Sequence, residues 1–212
     1  MDKRAKFWDK IAKRYAKNPI KDMQAYEHKL QVSRKYFSEE ASVLEIGCGT
    51  GSTAILHAPH VKQYHAIDVS PKMIEIAAEK LKKENINNLT FEAIAIDQLT
   101  LKEPVDIIFA HSILHLVEDR EEVTRQTHQW LKPGGVLITS TGCLGDRMKF
   151  FKLIGPIGKF FGLIPFIGVF TAKEFKDGLT AHGFEIDYSW QKEKDIAIFV
   201  VAKKKTKVNS MT

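Results

Sequence analysis

Cysteine is scarce in this chain: Cys48 and Cys143 are the only two among 212 residues. Two thiols build neither a disulfide framework nor a cysteine metal site, and both are expected to be reduced. The eight histidines do not fall at ligand spacings such as His-Glu-x-x-His, so no metal is expected. The segment from Met1 to Lys17 mixes Lys, Arg and Asp with aromatics and lacks the apolar core of a secretory signal, which predicts a cytoplasmic protein. The formal charge of +6 is dispersed and crowds only at Lys203, Lys204, Lys205 and Lys207, so residues 203–212 read as a basic flexible tail. With no basic motif interleaved with aromatics, nucleic acid is not an expected partner. What remains, 44% hydrophobic and 27% charged, suits one globular domain over residues 1–202.

The informative stretch is Val43-Leu44-Glu45-Ile46-Gly47-Cys48-Gly49-Thr50-Gly51. Val43 to Ile46 reads as a buried strand, Ser52 to His57 as a helix, and glycines at every second position let a ligand lie against bare backbone between them. A dinucleotide fingerprint needs a glycine at position 52, where this chain has Ser52. Glu45 would repel a pyrophosphate and suits a ligand bearing an ammonium group. The strand Tyr64 to Asp68 then ends in a carboxylate 21 positions beyond Gly47, placed to accept ribose hydroxyls. That feature serves NAD enzymes equally and leaves the cofactor open.

Glu-x-Gly-x-Gly-x-Gly after a strand resembles the first motif of class I S-adenosylmethionine-dependent methyltransferases. The resemblance extends to Asp-Val-Ser-Pro-x-Met (68–73), to Leu-Lys-Pro-Gly-Gly-x-Leu (131–137), and to Phe7-Trp8-Asp9-x-x-Ala12-x-x-Tyr15, which is similar to an amino-terminal lid. It spans roughly Phe7 to Ala202. It implies that Glu45, Gly47, Cys48 (through its backbone), Gly49 and Gly51 hold the methionyl part of S-adenosylmethionine, that Tyr15 reaches its carboxylate, and that Asp68 takes the ribose. Val69 and Met73 flank the adenine, with Met73 read equally well as core. Ala95 stands where the family often has an aspartate, so the adenine edge falls to Ile96 or Asp97. Ala110 completes the cofactor wall.

The rest of the chain alternates in the same way. Leu89 to Ile94, Val105 to Phe109, Val136 to Ser140, Phe184 to Trp190 and Ile196 to Ala202 read as strands; Ser70 and Thr171 read as helix caps, the latter in a capping box with Glu174. Asp119 to Leu131 reads as a helix ended by a turn at Lys132 to Gly135. Residues 1–40 read as helices forming a lid, and His115 as a satisfied core histidine in an apolar helical stretch. His111, just past a strand's carboxyl end, is the candidate general base, and its position reads as an active-site wall or as loop structure alone. The expected fold is α/β: a doubly wound, mostly parallel seven-stranded sheet with helices on both faces and a C-terminal antiparallel hairpin.

Residues 142–170 form a lipophilic insertion, densest over 149–167. Lys149, Lys152 and Lys159, with Pro156, Pro165 and interspersed glycines, exclude a membrane-spanning helix, since each central lysine costs about 2.5–3.5 kcal/mol. A surface-lying segment, a lid over a lipophilic acceptor, a peripheral membrane contact, a hydrophobic cap and a homodimer interface all remain open. The expected activity is methyl transfer to a small lipophilic acceptor, lipid or quinone-like, yielding S-adenosylhomocysteine. The rivals are a nicotinamide-dependent oxidoreductase and a non-catalytic cofactor-binding or membrane-surface protein.

Overall fold

The computed structural model describes residues 3–148 and 165–206. Two helices open it, α1 (Lys3–Lys17) and α2 (Met23–Arg34). Then come β1 (Ser42–Ile46), α3 (Ser52–His57), β2 (Gln63–Asp68), α4 (Pro71–Leu81), β3 (Leu89–Ala93) and β4 (Val105–His111). The chain closes with α5 (Arg120–Trp130), β5 (Leu131–Gly142), α6 (Ala172–Ala181), β6 (Phe184–Trp190) and β7 (Ala197–Lys204). The seven strands form one sheet in the order β3-β2-β1-β4-β5-β7-β6, parallel except where β7 pairs with β5 and β6.

Strand alternation sorts the core into two layers. Val43, Tyr64, Ala66, Ile107, Phe109 and Ile138 point to one face and pack with Val32 of α2 and Ala54 of α3. Leu44, Ile46, Ile67, Ile108 and Leu137 point to the other, against Val123 of α5 and Phe175 and Leu179 of α6. Because the chain crosses from β3 at one edge to β4 beside β1, the sheet has its switch point between β1 and β4. In open α/β sheets, ligands bind at the carboxyl ends of such strands.

The expected caps form: Ser70 Oγ accepts the Met73 N–H with Pro71 in the first turn, and Thr171 and Glu174 close a reciprocal capping box. Three strands depart from expectation by two or more residues. β5 begins at Leu131 rather than Val136, because residues 132–135 run along Asp106 as an irregularity of the ladder; a Cβ on Gly135 would lie 2.8 Å from the Asp106 carbonyl oxygen. β7 reaches Lys204, whose ammonium donates to the carbonyls of His128 and Leu131 at 2.7 Å each, so Lys203 and Lys204 belong to the sheet and not to a flexible tail. β4 extends through His111, and Ser112 turns the chain at φ 55 with its N–H on the Ser140 carbonyl. His115 therefore lies in a turn instead of a helix, where its Nδ1 accepts the Gly142 N–H at 3.3 Å. Of the lipophilic insertion, residues 149–164 lie outside the described residues.

Candidate active site

The glycine loop leaves β1 with Gly47, Gly49 and Gly51 all at positive φ, between 56 and 72 degrees. A side chain at Gly47 would run into Ile113 at 2.8 Å, and one at Gly51 into Phe91 at 2.5 Å and Ala77 at 2.8 Å. Gly49 differs: a Cβ there would meet only the Tyr15 ring, at 3.9 Å. Gly47 and Gly51 are required by packing, whereas Gly49 keeps the crevice open beneath Tyr15. The Cys48 N–H donates to the Ile67 carbonyl at 2.9 Å, and burial raises its thiol well above the ordinary range, so it is no nucleophile. Lys80 of α4 secures the loop's far end, donating to the Thr50 carbonyl at 3.0 Å and to Ser52 Oγ at 2.9 Å.

Two carboxylates flank the loop. Asp68, at the end of β2, accepts the Gly49 and Ser70 N–H groups, both at 2.9 Å. Burial raises its pKa and those two bonds oppose the rise. Glu45 is only 2% exposed, and the Tyr64 hydroxyl donates to its Oε2 at 2.8 Å. Burial pushes Glu45 up to about 8 despite that bond, with Asp68 adding to the rise. A buried carboxyl that holds its proton until a cation arrives suits a ligand ammonium group. Tyr15, 48% exposed, brings α1 over the crevice, and partial burial and then the Asp68 charge raise its phenol pKa.

α1 is fastened there by a residue whose role the sequence does not announce. Asp9 accepts from Ser70 Oγ at 2.6 Å and from the Lys72 N–H at 3.1 Å, so the lid helix caps α4. Arg4 of α1 forms a forked pair with Asp97 at 2.9 and 3.2 Å, which occupies the carboxylate expected at the adenine edge. Val69 is half-buried, Ala110 is fully buried, and Met73 is buried on the inner face of α4, in keeping with its core reading; Ile96 packs against the sheet.

Beyond the loop, the ends of β4 and β5 bring His111 opposite Ser140. The imidazole lies between Phe109 and Phe199, and its Nδ1 is buried without a hydrogen-bond partner. Burial, and then the nearby Lys29 charge, lower its pKa to about 3. Lys29 comes from α2 and donates to Ser140 Oγ at 2.9 Å. On an amphipathic helix a lysine reads as solvated, so no sequence signal marks Lys29; Tyr64 likewise reads as core.

A cleft of about 430 Å³ lies between Asp146, Arg147 and residues 191–195, and another of about 290 Å³ lies beside Leu114, Arg120 and Phe170. Neither is lined by Glu45, the glycine loop or Asp68, so the convergent polar groups mark the site and these two clefts do not. No group of acidic, histidine and cysteine side chains able to hold a metal occurs among the described residues.

Residues 44–137 match a family model described as a methyltransferase domain. Malonyl-[acyl-carrier protein] O-methyltransferase of Bacillus cereus is 32% identical over 116 residues, 53% of this chain and 42% of that protein. Phosphoethanolamine N-methyltransferase of Plasmodium falciparum is 28% identical over 170 residues, 74% of this chain and 60% of that protein. The chain thus spans less than two thirds of the length of either relative. The N-methyltransferase NodS from Bradyrhizobium japonicum, solved with S-adenosyl-L-homocysteine, superposes with a TM-score of 0.71 at 20% identity, covering 96% of this chain and 99% of that one. The sheet topology is the fold of that solved structure, and residues 44–137 are similar to a methyltransferase domain.

Proposed function

We propose that the chain transfers a methyl group from S-adenosylmethionine to a small, lipophilic acceptor. The observation that carries the reading is the pairing of Glu45, buried and accepting the Tyr64 hydroxyl, with a glycine loop bracketed by Asp68 and Tyr15. These groups fit an amino-acid-bearing nucleoside: Glu45 for the ammonium, the backbone around Gly49 for the methionyl chain, and Asp68 for the ribose hydroxyls. In this reading Val69, Met73 and Ile96 border the adenine, and Asp97 acts there only if Arg4 releases it. When bound, S-adenosylmethionine supplies a methyl group on a positively charged sulfur.

The chain's own task is then to place the acceptor and exclude water, which can supply effective molarities on the order of 10⁵ M. Tyr15 and α1 cover the crevice from one side. His111 forms a wall at the end of β4; a neutral imidazole with a pKa of about 3 beside an ammonium is a poor proton acceptor at neutral pH, so its role is to orient the acceptor. The lipophilic character rests on the composition of residues 142–170, and no helix among the described residues is long and apolar enough to cross a membrane. The names of the relatives point to acceptors as different as a carrier-bound malonyl group and phosphoethanolamine, so the acceptor must be found by assay.

Calorimetric titration with S-adenosylmethionine, S-adenosylhomocysteine and NADH tests the cofactor. Adenosyl binding that Asp68→Ala abolishes, with no heat from NADH, is the expected result, and NADH binding overturns the reading. S-adenosylhomocysteine release measured over paired long-chain and short-chain acceptors tests the rest: preference for the short polar members removes the lipophilic acceptor.

A further inference from the structure

Lys29 is a half-buried lysine whose ammonium has a neutral partner, Ser140 Oγ at 2.9 Å. Among the described residues no carboxylate lies within ion-pair distance of it. Its two charged neighbours are already engaged: Asp22 caps α2 through the Ala25 N–H and pairs with Lys192, while Asp195 accepts the Ala197 N–H. Burial lowers the Lys29 pKa and outweighs the opposing pull of Asp195 and Asp22, the mark of a cation stripped of water without a directly paired charge. Holding α2 against β5 would be done more cheaply by an apolar side chain. Directly across from Ser140, His111 presents a second unsatisfied group, its buried Nδ1. The two lie at the carboxyl ends of β4 and β5, on the far side of β4 from the Glu45 and Asp68 end of the crevice. His28, hydrogen-bonded to the Tyr188 hydroxyl at 2.9 Å and 4.6 Å from the Trp190 ring, borders the same corner.

Resting on the methyltransferase reading of this crevice, we infer that Lys29 is the anion-binding residue of the acceptor subsite: the acceptor carries a carboxylate or phosphate that draws the Lys29 ammonium from Ser140. The released Ser140 hydroxyl then donates to the same anion, and the half-buried Trp190 ring, 4.6 Å from His28, offers apolar surface for adjoining carbon. A charged end bound by Lys29 and an apolar body beside it describe an amphiphilic acid. The same ammonium could instead hold the carboxylate of the cofactor, and the experiment separates the two sources.

The full-length protein, saturated with S-adenosylhomocysteine, is titrated calorimetrically with laurate, dodecyl phosphate and dodecanol, and separately with propionate and inorganic phosphate. Wild type is expected to bind laurate or dodecyl phosphate at least about tenfold more tightly than dodecanol, a comparison that does not depend on any variant folding. Lys29→Met should remove that preference and Lys29→Arg should keep it. Binding of S-adenosylhomocysteine itself should change less than about twofold in both, well below the effect of removing a charged partner. Equal binding of laurate and dodecanol overturns the inference while leaving a lipophilic acceptor standing. Binding of propionate and phosphate alone supports the anion subsite and removes the lipophilic acceptor. Loss of S-adenosylhomocysteine affinity in Lys29→Met overturns the inference by assigning the lysine to the cofactor, and absence of any anion binding to wild type overturns it by making Lys29 structural.

Discussion

The Tyr64 hydroxyl donates to Glu45 Oε2 at 2.8 Å, and both side chains are shut off from solvent on adjacent strands. A carboxyl raised to about 8 in the fold and near 4.5 when unfolded binds a proton more tightly in the native state, so its contribution to stability is lost as pH rises from about 4.5 to 8. Glu45→Gln, which can still accept from Tyr64, should therefore raise the melting temperature of the ligand-free protein at pH 8, by about 5 °C, with the gain gone at pH 5. The same variant should weaken S-adenosylhomocysteine about tenfold or more and flatten its rise in affinity between pH 6.5 and 8. Melting curves and titrations at both pH values check this, and unchanged affinity would remove Glu45 from the site.

Asp68 serves the fold and the ligand together, accepting two backbone N–H groups while facing the crevice. Asp68→Asn keeps one acceptor oxygen and loses one of the two backbone bonds, so it should cost about 1–3 kcal/mol yet still fold, and bind S-adenosylhomocysteine about 100-fold more weakly, as expected when a charged acceptor for buried hydroxyls is removed. Wild-type affinity in a folded Asp68→Asn protein would contradict the ribose assignment.

The glycines of the loop should separate by function. Gly51→Ala places a methyl group 2.5 Å from Phe91 and 2.8 Å from Ala77 at a φ of 72 degrees, and should cost about 2–4 kcal/mol in urea denaturation. Phe91→Leu in the same chain should recover part of that loss. Gly49→Ala meets only Tyr15 at 3.9 Å and should cost about 1–2 kcal/mol of backbone strain while abolishing cofactor binding.

His57 is wholly buried, both ring nitrogens lack partners, and Phe37 and Phe109 pack against it at 5.0 and 4.8 Å. Burial, and then the His111 charge, lower its pKa to about 3 from an ordinary 6.5. The unfolded chain takes up the proton first, so stability present above pH 6.5 is lost as pH falls toward 3. His57→Leu should gain about 2 kcal/mol relative to wild type on going from pH 8 to pH 5, read from denaturation midpoints. An identical difference at the two pH values would show that His57 is not the acid-sensitive group.

The Asp9 bonds to Ser70 Oγ and the Lys72 N–H are the link between lid and α4. Asp9→Ala should cost about 1 kcal/mol as a lost cap and expose α1 to limited proteolysis without unfolding the sheet. S-adenosylhomocysteine should protect the wild-type α1 and protect the variant less.

Much of this molecule is legible from neighbouring residues alone. Ser70-Pro71 and Thr171-x-x-Glu174 start helices because their side chains reach N–H groups one turn away, and Val43 to Ile46 is a strand wherever it is buried. The glycine loop and the terminal acid of β2 announce a ligand because few other uses require bare backbone beside a carboxylate. Other roles depend on which surfaces meet. Asp9 finds Ser70 across 61 positions, Arg4 finds Asp97 across 93, and Lys29 finds Ser140 across 111. The stretch 132–135 reads as a turn until Asp106 offers it a ladder, and Lys203 and Lys204 read as a tail until β5 and the His128 carbonyl claim them. Sequence by itself determined the elements, their order and the chemistry of the loop, since those depend on contacts within a turn or two. Only the tertiary structure decided which charge is satisfied, which is buried and which is left waiting for a ligand, because desolvation and pairing are properties of the packed surfaces and not of the residues that form them.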